Sequence, residues 1–75
     1  MKQILLVRIT DALGLPDGLY EACVNGEDMI IHRDVGQGFT AARRSMPGYL
    51  EVAHYDETGE VDFVQYKREE DSCKT

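Results

Sequence analysis

Two cysteines, two histidines and a cluster of carboxylates are the residues whose chemistry could go beyond packing. A cysteine nucleophile needs a base within hydrogen-bond reach. Cys23 and His32 are the nearest such pair along the chain. On a hairpin turning at Asn25-Gly26, His32 lies opposite Leu19. That leaves it four residues along the strand from Cys23, or roughly 13 Å away at the rise of an extended chain. The pair is too distant for a dyad, and Cys23 reads as a small, half-buried hydrophobe. Cys23, His32, His54 and Cys73 show none of the close spacings of a zinc site, so no metal and no cofactor is expected. Gly36-Gln37-Gly38 lacks the lysine and the full pattern of a phosphate loop, and it reads as a turn.

His54 and Asp62 could stand opposite one another on a hairpin, as two members of a catalytic triad do. No serine or cysteine falls where the third member would be needed, so the expectation is a cross-strand ion pair. Asp56, Glu57, Glu60 and Asp62 crowd a single hairpin tip without a basic residue among them. Water solvates such a tip easily, and no apolar pocket is there to raise a carboxyl pKa for acid–base work. The residues therefore point away from catalysis and towards binding.

The chain has 75 residues and a formal net charge of −6. One domain with a modest core is the expectation, spanning residues 1–67 and followed by a charged tail over 68–75. Cys73 sits in that tail, so a disulfide framework is not implied. The apolar run Ile4–Val7 is too short for a signal peptide and ends at Arg8. A cytoplasmic protein is expected. The acidic balance disfavours nucleic acid and anionic membranes as direct partners, because phosphate binding needs clustered Lys or Arg. A basic protein surface is the better electrostatic match.

The elements that must carry these residues follow from pattern. Ile4 to Ile9 is nearly all apolar and suits a strand covered on both faces, hence central in its sheet. Pro16-Asp17-Gly18 is turn chemistry. Asn25-Gly26 is a strong hairpin signal, since both residues tolerate the positive φ of a type I′ turn. It would pair Val24 with Glu27, Ala22 with Met29 and Tyr20 with Ile31. Phe39 to Met46 reads as a short helix, with Phe39, Ala42 and Met46 on one stripe and Pro47-Gly48 ending it. A second hairpin turns at Asp56-Glu57-Thr58-Gly59. A three-residue loop pairs Tyr55 with Val61, His54 with Asp62, Ala53 with Phe63, Val52 with Val64 and Leu50 with Tyr66. A two-residue loop would instead pair Val52 with Gln65.

The resulting order is β-β-β-α-β-β: an α+β domain, a small antiparallel sheet with one short helix on a face. A hairpin, a short Phe39-Thr40-Ala41-Ala42-Arg43 helix and a closing hairpin form a layout similar to many small proteins of phages and mobile elements. Several anti-CRISPR proteins are likewise tiny, acidic and non-enzymatic. The resemblance implies a non-enzymatic protein-binding module, an inhibitor that occludes a basic, nucleic-acid-binding surface of its target. Candidate binding residues are Tyr55, Asp56, Glu57, Glu60, Asp62 and Phe63 at the acidic tip, with Arg43 and Arg44 as secondary candidates. The alternative is a structural or assembly role as a homodimer, joined through the apolar face of the C-terminal hairpin.

Overall fold

A computed structural model describes residues 2–68. Six strands form one sheet in chain order: β1 (Lys2–Leu6), β2 (Gly18–Val24), β3 (Glu27–Asp34), β4 (Gly38–Arg44), β5 (Tyr49–Tyr55) and β6 (Val61–Arg68). Four of the five strand pairings are antiparallel, and β1 runs parallel to β2. A parallel neighbour cannot be reached by a tight turn, so the chain crosses over through a 3₁₀ helix, Ile9–Gly14. The fold is mainly β.

The Asn25-Gly26 hairpin forms as its sequence requires. Asn25 and Gly26 both take positive φ, and Val24, Ala22 and Tyr20 stand opposite Glu27, Met29 and Ile31. The expected helix over Phe39–Met46 is a strand instead, which changes the α+β order into an almost wholly β one. The spacing of Phe39, Ala42 and Met46 fits a helix, yet two helical turns are marginal without packing. As β4, the same segment pairs with β3 on one side and β5 on the other. Phe39 and Ala41 then point into the core, while Met46 lies beyond the strand and is exposed. The likeness to phage proteins loses the helix that formed part of its layout.

Two further expectations are corrected. β1 is an edge strand rather than a central one, and Leu5 is 81% exposed. In the C-terminal hairpin, Tyr55 does pair with Val61, but a bulge at His54/Tyr55 shifts the ladder by one. His54 therefore faces Phe63, Ala53 faces Val64, Val52 faces Gln65 and Leu50 faces Lys67. The His54–Asp62 ion pair is not made. Asp62 is the extra residue that the bulge absorbs, and every side chain beyond it changes face.

The registers sort the side chains onto two faces. One carries Ile4, Leu6, Tyr20, Ala22, Val24, Met29, Ile31, Phe39, Ala41, Ala53 and Tyr55, and the 3₁₀ helix packs Ala12 and Leu13 on it. Here Phe39 and Ile31 are fully buried. The other face is mixed: it carries Leu5, Leu19, Cys23, Ile30, Ala42, Leu50, Val52 and Phe63 among Gln3, Glu21, Asp28, His32, Asp34, Thr40, Arg44, His54, Gln65 and Lys67, and among the described residues no element lies over it.

Candidate binding surface

Arg33 is buried on the covered face, where an uncompensated charge is costly. Its guanidinium meets Glu57 through two bonds, Nη1 to Oε2 at 3.0 Å and Nη2 to Oε1 at 3.1 Å. Nη1 also donates to the Gly38 carbonyl at 2.7 Å, and Nη2 to the Leu13 carbonyl at 3.0 Å. Glu57 accepts in addition from the Gly36 backbone N–H at 2.6 Å. One side chain thus ties together the 3₁₀ helix, the β3–β4 turn and the β5–β6 turn. The Arg33 guanidinium holds the Glu57 carboxyl below the usual carboxylate range, with the Gly36 N–H adding to the effect.

Asp56 is engaged in a different way. Its Oδ1 accepts from the Thr58 hydroxyl, the Thr58 N–H at 2.9 Å and the Glu60 N–H at 3.1 Å. The Asp side chain thereby shapes its own turn, and the bonds to Thr58 and Glu60 lower its pKa. Gly59 completes this turn with positive φ. Of the four tip carboxylates, Asp56 and Glu57 are thus held by internal contacts. Glu60 and Asp62 are exposed.

The aromatic candidates also part company. Tyr55 stacks on Phe39 with ring centroids 4.6 Å apart and belongs to the covered face. Phe63 lies on the open face, where it stacks with His54 at 4.0 Å and remains 52% exposed. His54 Nε2 lies 3.3 Å from Gln65 Oε1. Arg43 and Arg44 are neighbours on a strand and so point to opposite faces. Arg43 pairs with Glu27 at 2.7 Å and with Glu51 at 3.1 Å, and Glu51 also accepts from the Tyr66 hydroxyl at 3.1 Å. Tyr66, Glu51, Arg43 and Glu27 form a polar ladder across four strands. It borders a hollow of ≈ 250 Å³ on the covered face, lined in part by Val24, Met29, Ala41, Ala53 and Tyr55.

On the open face Gln3 donates to Glu21 at 3.2 Å, and His54 meets Gln65. Leu5, Leu19, Ile30 and Phe63 are all exposed there, with Cys23, Ala42, Leu50 and Val52 half-buried among them. A concavity of ≈ 870 Å³ is lined by Glu21, Cys23, Asp28, Ile30, Ala42, Arg44 and Leu50 of this face, together with Ile4, Ala22, Glu27, Met29 and Arg43 of the other. Glu21, Glu27 and Asp28 bring carboxylates to its lining, and the candidates Arg43 and Arg44 bring guanidinium groups. Every residue of β6 is exposed, Phe63 on the open face and Val61, Val64 and Tyr66 on the other. Alternation in β1 to β3 could have revealed the open face from sequence, because Leu5, Leu19 and Ile30 stand on the opposite side from Leu6, Tyr20 and Ile31.

Among the described residues no three of His, Cys, Asp and Glu converge to hold a metal ion. No helix of the described chain is long and apolar enough to cross a membrane. No protein-family model matches the chain, and neither does any curated protein or any solved structure.

Proposed function

We propose that this protein is a small acidic, non-enzymatic binding module that docks on a basic surface of a partner protein and occludes it. The observation that carries the reading is the uncovered face of the sheet, on which Leu5, Leu19, Ile30 and Phe63 stay exposed among polar residues, together with the exposed strand β6. A single-layer sheet ordinarily covers both faces or makes the second one polar. Large exposed apolar patches on small proteins mark interaction sites. The net charge of −6 selects a basic partner, such as the nucleic-acid-binding surface of a target. Within the tip, Glu60, Asp62 and Phe63 are the contact residues of this reading. Asp56 and Glu57 set the turn that presents them. The exposed carboxylates would steer association, and the exposed apolar side chains would supply the lasting contact.

The test is capture of partners from host cells by the wild-type protein and by a triple variant, Glu60→Gln, Asp62→Asn and Phe63→Ser. The wild type is expected to retain a nucleic-acid-binding protein even after nuclease treatment, and the folded triple variant is expected to lose it. Equal capture by both would contradict the reading.

A further inference from the structure

The outer edge of β6 goes beyond this reading, because its own sequence specifies an occupant. β6 is the last strand of the sheet, it is eight residues long, and β5 is its one neighbour among the described residues. Natural edges of this length are protected by proline, by inward charges or by a covering element. β6 has no proline, its charges lie near its two ends, and nothing described covers it. We infer that two copies of the chain pair β6 against β6 antiparallel, joining their sheets edge to edge around a two-fold axis at Gln65.

The register of β6 sets the pairing. A two-fold axis perpendicular to a sheet keeps each side chain on its face, so paired residue numbers must differ by an even count. Centring the axis on Gln65 sets Val64 against Tyr66 of the second copy, Phe63 against Lys67, and Asp62 against Arg68. Val64 and Tyr66 share the covered face, where an aliphatic–aromatic cross-strand pair is favourable. Phe63 and Lys67 share the open face, where the lysine stem and charge can lie over the ring. The two Gln65 amides meet on the axis, and the ends of the seam match opposite charges. Sliding the pairing by one step in either direction destroys this match. One alternative sets Asp62 against Tyr66 and Val61 against Lys67, and the other sets Val64 against Arg68.

Charge composition supports the same site. The chain is acidic as a whole, yet residues 61–68 contain Asp62, Lys67 and Arg68 and are the one strand edge with a cationic and an anionic end. β1, the other edge, is shorter and has Lys2 as its sole charged residue, so it lacks this self-complementarity.

The test uses the full chain, sedimentation velocity and two charge reversals, Asp62→Arg and Arg68→Asp. Each single variant places like charges at both ends of the seam and is expected to weaken self-association by about tenfold or more. An equimolar mixture of the two restores opposite charges at both ends, and so does the double variant carrying both changes. Both are expected to return to wild-type dimerisation. A wild type that stays monomeric at millimolar concentration would overturn the proposal, as would single variants that associate like wild type. Hydrogen exchange on the wild type gives an independent reading. Amides of residues 63–67 are expected to gain protection on concentration, and protection gained at β1 instead would also overturn the proposal.

Discussion

The end of the sheet around Arg33 and the C-terminal strand β6 are built on opposite principles. At Arg33, a buried cation, a carboxylate, two turns and the 3₁₀ helix are joined through the two terminal guanidinium nitrogens, with Nε left without a partner among the described residues, and Phe39, Ile31 and Tyr20 pack beside them. In β6 every residue is exposed, and its apolar side chains touch little beyond β5. A domain this small has a single modest core, and here that core lies at one end of the molecule. The other end is free to present apolar surface that folding does not require.

Substitutions at the Arg33 end should break this comparison most severely. Gly38 has φ of +118°, and a Cβ there would collide with the Tyr55 carbonyl oxygen. Gly38→Ala is expected to cost about 3 kcal/mol or more, leaving little or no folded protein by circular dichroism. Phe39→Ala removes a fully buried ring stacked on Tyr55 and is expected to cost about 3–5 kcal/mol in chemical denaturation. Either variant melting like wild type would show that the core does not lie where the fold places it.

A smaller, pH-dependent effect is expected at Glu57. Its folded pKa is depressed by Arg33, so the stability it contributes is fully present above its unfolded pKa and is lost as pH falls through the folded value. Asp56 has the same sign, from its bonds to Thr58 and Glu60. Glu57→Gln should therefore lower the melting temperature at neutral pH and flatten its decline on acidification. An unchanged acid limb would show that the Arg33 contact is not formed in solution.

The smallest effects belong to β6. Val64→Ser and Phe63→Ser are each expected to shift stability by about 0.5 kcal/mol or less, because both positions are exposed. A loss of several kcal/mol on unfolding either variant would place β6 in the core and remove the contrast.

The sequence showed some of this plan and concealed the rest. Asn25-Gly26 dictates a turn with positive φ at both residues, so that hairpin and its register follow directly from residue chemistry. The tip at Asp56–Gly59 was legible for the same reason, and so was the Tyr55–Val61 pair. The bulge next to it was not, because Asp62 has no feature that marks it as an inserted residue. The sequence of β4 conceals a strand, since Ala41, Ala42, Arg43 and Arg44 are good helix formers, and two-sided pairing with β3 and β5 overrides that preference. Arg33 was hidden because a charged residue on a strand ordinarily faces water. Its partners lie 20 and 24 positions away at Leu13 and Glu57. Of the candidate binding residues, Glu60, Asp62 and Phe63 face outward, whereas Tyr55, Asp56, Glu57 and Arg43 are tied into internal contacts.

The separation of a stable end from an interacting edge can be read most directly from residue-resolved hydrogen exchange in dilute solution. Amides of residues 30–33 in β3 are expected to exchange only through global unfolding, and amides of residues 63–67 in β6 to exchange about 100-fold faster or more. Equal protection of the two strands at every concentration would contradict that separation.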